Sequence, residues 1–278
     1  MLHRFRTNSL KIGLSGFAII IALINIYPFI FMLSSSFKPL GQVFEYPIRI
    51  IPKSFIFTNY AVLFDPKQMY MTWYSNTLVM EILTILIKTT TVSITSYAFA
   101  RLNFKGKNTI FIIFLSALMI PGDVTLVQRY IIYKYLSITD TVWVLVLPAA
   151  FDMYFVFLMR QFFMGIPKEL TEVAIIDGCS HFKIFYKIML PLAKPAVLTM
   201  ILFTFVWAWN DYTNPFIFIT DMKKQMLTVG LSMFTILKID NYAVQMAGAS
   251  LALIPVILLF FFAQNHFIEG ISTTGIKG

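Results

Sequence analysis

The sequence predicts an all-α integral membrane protein with six transmembrane helices. Three observations predict it. The 278 residues are 58% hydrophobic and only 13% charged, where soluble domains carry roughly 25% charged residues. Apolar runs recur at close to the roughly 20 residues that a helix needs to cross a bilayer. One polar stretch, 166–195, interrupts these runs with helix start and stop signals rather than with linker composition. The connections are short and leave no length for a separate soluble domain, so a single transmembrane domain over 1–278 is expected.

The first crossing is read at about 12–33, behind a basic start of His3, Arg4, Arg6 and Lys11. It is longer than the apolar core of about 7 to 15 residues typical of a secretory signal, so it is taken as a span with the amino terminus inside. A connection holding Pro39, Pro47, Pro52 and Pro66 leads to the second crossing, about 74–100, where Trp73 and Tyr74 stand where an interfacial belt would form. Arg101, Lys105 and Lys107, with no acid among them, mark a cytoplasmic turn. The third run, about 108–126, breaks at Pro121-Gly122-Asp123, and the remaining crossings fall at about 141–163, 196–219 and 247–267. Six crossings put both termini and the polar loop, 164–195, on one side. That side carries twelve Lys and Arg against nine, in shorter loops, which places it in the cytoplasm.

Within the polar loop Pro167 suits a helix's first turn, and Glu169 and Glu172 put negative charge at the positive end of the macrodipole. Gly178 permits the left-handed turn that stops this helix. Ser180 can cap a second helix whose apolar positions, Phe182, Phe185, Ile188 and Met189, recur at helical spacing, with Lys183 and Lys187 on another face. Pro191 is expected to end it. Two amphipathic helices at one membrane surface follow.

Polar residues also appear where lipid should be. Glu81, Thr84, Lys88, Thr91 and Thr95 form one stripe of the second crossing, and either charge costs about 3 kcal/mol at mid-membrane, so the stripe should face the bundle or a watery cavity. Glu81 and Lys88 are two turns apart, about 10 Å, so each should pair with another helix, as packing contacts or as part of a solute pathway that also takes in Asp152, Trp209, Asn210, Asp211 and Tyr212. Asp152, Asn210 and Asp211 are the other expensive groups, with both acids about 12 to 16 Å deep. Beside Trp207, Trp209, Tyr154 and Tyr212 they could hold a sugar through hydroxyl hydrogen bonds and stacking, or serve helix packing instead. No P-loop is present, because Gly106-Lys107-Asn108 lacks both the upstream glycine and the hydroxyl residue. The three histidines lie far apart and Cys179 is the one cysteine, so neither a metal site nor a nucleophile with its base is expected. The net charge of +9 is scattered among loops, against a nucleic-acid partner.

Glu172-Val173-Ala174, Gly178 and Ile188-Met189-Leu190-Pro191 together resemble the EAA loop of permease subunits in ATP-binding-cassette importers, with Val173 in place of the motif's first alanine. Further segments resemble the shorter permease of maltose-type carbohydrate importers. They are Ser96-Tyr97-Ala98-Phe99-Ala100-Arg101, Phe157-Leu158-Met159-Arg160-Gln161-Phe162-Phe163, Ile166-Pro167-Lys168-Glu169-Leu170, Trp209-Asn210-Asp211-Tyr212 and the tail from Gly270. Gln128-Arg129 departs from it, standing where family members often carry Ile-Pro.

The resemblance implies the type I importer permease fold and a heteromeric complex in a prokaryotic cell membrane. Its other parts would be a sister permease, an ATPase dimer and an extracytoplasmic sugar-binding protein. The loop would be the coupling helix, meeting the ATPase through Glu169, Glu172, Ala174, Asp177, Gly178, Lys183, Leu190 and Pro191, while Gly275 and Lys277 of the tail reach into the ATPase dimer. ATP and magnesium would be bound by that partner, and no cofactor by this chain. Its cargo would be an oligosaccharide such as an α-galactoside or maltodextrin, with glycerol phosphate as an alternative. An ion-coupled carrier using Glu81, Lys88 and Asp152 as a relay is a rival reading, but the paired half-repeats of such carriers are not seen.

Overall fold

The computed structural model describes residues 2–236 and 241–275, with side chains at 13–234 and 241–262. In chain order its helices are α1 (Leu2–Ser36), α2 (Thr58–Leu63), α3 (Tyr70–Arg101), α4 (Lys107–Ser116), α5 (Leu126–Tyr135), α6 (Trp143–Ala149) and α7 (Met153–Gly165). They continue as α8 (Glu169–Ile176), α9 (His181–Ile184), α10 (Leu190–Leu192), α11 (Lys194–Trp209), α12 (Thr213–Phe218), α13 (Leu227–Ile236) and α14 (Tyr242–Gly275). There is no strand among the described residues. Four helical stretches are long and apolar enough to cross a membrane, and up to six if each of two bent pairs counts as one span.

The chain divides into two compact units, Met1–Met71 with Leu231–Ile254, and Thr72–Gly230 with Pro255–Gly278. In the first, Asn59 donates to the carbonyls of Ser36 and Lys38, tying α2 to the end of α1. The buried Lys38 sends its ammonium to the Arg49 carbonyl at 2.6 Å and lies over the Phe31 ring. The Tyr70 hydroxyl donates to the Gly248 carbonyl at 2.7 Å.

Among the described residues the second unit gathers apolar side chains around two centres. One gathers Phe155, Met159, Phe163, Ile184, Met189 and Met200 from α7, α9, the turn after it and α11. The other gathers Met80, Tyr133, Val144, Phe218 and Met226 from α3, α5, α6, α12 and the residue before α13. Because lipid tails are as apolar as these side chains, close fit rather than exclusion of water must hold such cores together. Gly230 shows how close: a Cβ there would lie 2.1 Å from the Trp73 ring. Trp73 is consequently 3% exposed, with its indole N–H donated to the Met222 carbonyl, and is a packing residue rather than part of an interfacial belt.

Three expected runs are interrupted. The third bends by 90° between Lys107–Met119 and Gly122–Tyr135, so α5 fills a stretch expected as loop. The fourth divides at Phe151 and Asp152 into α6 and α7, and the fifth at Asn210–Tyr212 into α11 and α12. Pro191 does not end its helix. A π-helical turn, Phe185–Met189, precedes it, and the helix continues to Leu192. The wider turn accommodates a residue without an N–H, and the 76° bend falls one residue later, before Lys194. Pro167 lies outside the helix it was expected to begin, since Lys168 is the N-cap of α8.

Asp140 fastens the loop between α5 and α6 to the segment after α12. It adopts a φ of +57°, and its carboxylate accepts from the Thr220 and Asp221 amides at 2.6 and 2.9 Å and from the Thr220 hydroxyl at 2.8 Å. These donors hold its carboxyl below the usual range, the Asp221 amide foremost. A depressed folded-state pKa stabilises the fold above the unfolded carboxylate value near about 3.9, and the gain is lost as pH falls through the lower folded value. Because these bonds are open to solvent, Asp140→Ala is expected to cost only about 0.5 to 1 kcal/mol at neutral pH and to flatten the acid limb of thermal unfolding in detergent. An unchanged acid limb would assign that limb to other carboxylates.

Candidate functional site

A cavity of about 410 Å³ lies within the second unit, a size that suits small-molecule sites. Met80, Thr84 and Lys88 form its α3 wall, each one turn from the next. Thr204, Trp207 and Ala208 of α11 face them, the helix breaks supply Asp152 and Asp211, and the first turn of α12 supplies Asn214. Arg129 of α5 completes the polar lining.

The helix breaks explain why acids lie so deep. An interrupted span leaves amide groups without partners, which must be satisfied where no water is at hand. One oxygen of Asp152 accepts from the Tyr154 and Phe155 amides at 3.1 and 3.4 Å, capping α7. The other receives the Lys88 ammonium at 2.8 Å, and that ammonium also lies 5.1 Å from the centre of the Phe155 ring. Asp211 stands before α12 in the same way, taking the Asn214 amide at 3.2 Å on one oxygen and the Asn214 side-chain amide at 2.7 Å on the other.

Lys88, Asp152 and Asp211, separated in sequence, thus meet around one cavity. The other four expected pathway residues do not line it. Glu81 is 1% exposed, and neither carboxyl oxygen has a hydrogen-bond partner among the described residues. Trp209 is buried, stacked on Phe205 at 5.3 Å and edge-on to Tyr74. Asn210 returns its amide to the Val206 carbonyl at 2.7 Å, and Tyr212 stacks on Phe216. The indole that does reach the cavity is Trp207, 50% exposed. Arg129, Thr204 and Asn214 were not found from the sequence, although an arginine in place of the family's Ile-Pro was visible there.

The polar loop forms an elbow. The Cys179 amide donates to the Ala174 carbonyl at 2.9 Å and the Gly178 amide to that of Ile175 at 3.0 Å, a Schellman closure of α8. Gly178 carries the positive φ, +75°, that this closure needs, with Asp177 as the C-cap. Ser180 then caps α9 by accepting from the Lys183 amide. Glu169 and Glu172 lie in the first turn of α8 and are exposed, as are Lys183 and Pro191, while Ala174 is buried and Leu190 half-buried. Ile176 and Phe182 turn outward, so Phe182 lies off the buried face formed by Ile184, Phe185 and Met189.

Two arginines bind this end of the unit together. Arg101 at the end of α3 donates to the Phe163 carbonyl at 2.7 Å and to that of Ile166, and Arg160 of α7 donates to the Phe99 carbonyl at 3.1 Å. Gly275 ends α14, and Lys277 lies outside the described residues.

Residues 4–273 match the family described as the binding-protein-dependent transport system inner membrane component. The chain belongs to this family. With its several apolar helices the permease is a multi-pass membrane protein. It is 32% identical over 265 residues to the arabinooligosaccharides transport system permease protein AraQ of Halalkalibacterium halodurans, covering 95% of each chain. It is 31% identical to the maltodextrin transport system permease protein MdxG of Bacillus subtilis, covering 94% of each. The permease also shares the fold of a chain from a bacterial ABC transporter that imports the acidic polysaccharide alginate. The TM-score there is 0.84 at 22% identity, over 93% of this chain and 96% of the other.

Proposed function

We propose that the permease is one subunit of a heteromeric, ATP-driven importer that moves a carbohydrate across the cell membrane by alternating access. In this reading it is one permease domain with six crossings and both termini cytoplasmic. Its partners are a sister permease, an ATPase dimer that binds ATP and magnesium, and an extracytoplasmic binding protein. The observation that carries the reading is the pairing, in one chain of this family, of an exposed helical elbow with a polar cavity. Carbohydrate relatives such as the arabinooligosaccharide and maltodextrin permeases support the cargo class. An oligosaccharide fits best, because Trp207 offers a flat apolar face and Thr204, Asn214 and Asp211 offer hydroxyl partners.

In the cycle, closure of the ATPase dimer would push on α8 and α9, with Glu172 meeting a basic residue of the ATPase. The elbow would carry that motion to the helices around the cavity. Glu172→Lys is expected to reduce uptake of the cognate sugar at least tenfold, while the protein still reaches the membrane at normal level. Uptake equal to wild type would remove Glu172 from the coupling surface.

A further inference from the structure

The charges around the cavity are unequally occupied. Lys88 and Asp152 hold each other at 2.8 Å. Both oxygens of Asp211 are engaged by Asn214. Like Asp211, Arg129 has no counter-ion within salt-bridge distance among the described residues, and unlike Asp211 it also lacks a short hydrogen bond. Its two hydrogen bonds, to the side-chain oxygen of Asn214 and the Gly122 carbonyl, are both 3.3 Å long, where a charged donor on a matched acceptor reaches about 2.7 to 2.9 Å. Its Nε is buried with no partner, and the guanidinium lies 5.7 Å from the centre of the Phe218 ring. A guanidinium has five N–H donors in a fixed fork, and here two are used, both on neutral acceptors.

The surroundings fix what could occupy that fork. Asn214 donates its backbone N–H and a side-chain N–H to Asp211 and accepts from Arg129 on its side-chain oxygen, so it stands between the aspartate and the arginine. Trp207 borders the same cavity, and Thr204 adds a buried hydroxyl with no hydrogen-bond partner. An unpaired guanidinium, an aromatic face and a free hydroxyl suit a sugar ring that carries an anionic group.

We infer that Arg129 makes this cavity selective for an anionic carbohydrate, whose carboxylate or phosphate it binds while the ring lies along Trp207. The inference rests on the carbohydrate reading above and narrows it to charged cargo.

The test is direct binding to the full-length permease in nanodiscs, read as quenching of tryptophan fluorescence, with Trp207→Phe identifying the cavity signal. The probes are trigalacturonate, glucose 6-phosphate and the neutral maltotriose. At least one anionic probe is expected to bind about tenfold or more tightly than maltotriose, and the preferred one tells carboxylate from phosphate. Arg129→Gln is expected to weaken that binding roughly 10- to 100-fold and to reduce the preference over maltotriose below about twofold. Arg129→Lys, which keeps the charge but not the fork, should retain part of it and serves if the glutamine variant does not fold. Maltotriose binding as well as both anions, with no effect of Arg129→Gln, would overturn the inference and leave the carbohydrate reading standing. Saturation by none of the three would overturn the inference and the cavity's role as a sugar site together.

Discussion

Lys88→Met is expected to lower the unfolding free energy of the detergent-solubilised protein by about 3 to 5 kcal/mol, because it leaves the Asp152 carboxylate without its counter-ion at the mouth of a helix break. Asp152→Asn should cost a similar amount for the converse reason. It preserves an oxygen for the α7 amides but strands the Lys88 ammonium, whose side chain is almost wholly buried. The double variant removes both charges while retaining that cap, and should recover most of the loss. Chemical unfolding followed by circular dichroism measures all three. Strictly additive costs would mean that the two groups do not depend on each other, contrary to their contact at 2.8 Å.

Gly178→Val is expected to abolish sugar uptake in cells that carry normal amounts of the protein. A Cβ at this position would meet nothing within 4 Å, so the penalty comes from the backbone alone. A left-handed conformation costs an ordinary residue about 1 to 2 kcal/mol, and a β-branched one is a sharper outlier. The strain is relieved by opening the Schellman closure, which re-aims α8 relative to α9. Activity should therefore fall in the order Gly, Asn, Ala, Val, following tolerance of positive φ rather than side-chain volume. Transport by the valine variant at the wild-type rate would show that the angle of the elbow is immaterial.

The apolar runs were legible because length and hydropathy are summed over some twenty residues, and single exceptions do not cancel them. Positions that answer to one neighbour were not. Nothing near Trp73 in sequence announces Gly230, and without that contact an aromatic at a helix start reads as a belt residue. The break before α7 was hidden because its cap, Asp152, is also a plausible solute ligand, and the structure gives one of its oxygens to each of two jobs. Pro191 misled for a different reason. The rule that proline stops a helix assumes a regular ladder behind it, and five residues of π-helix change that ladder. In the cavity the acids were visible as expensive charges in an apolar segment, whereas Arg129 lies in α5, a stretch that the hydropathy pattern assigned to a loop.

Arg101 and Arg160 reach in opposite directions, each clasping the main chain of the other's helix. A single clasp would let the two rods slide or pivot; a reciprocal pair blocks both. Lys88 lies thirteen residues before Arg101 on the same unbroken helix, about 20 Å away. In the proposed cycle, a load carried from α8 to the end of α7 would reach the ammonium as movement of one continuous helix, with little slack for thermal motion to absorb.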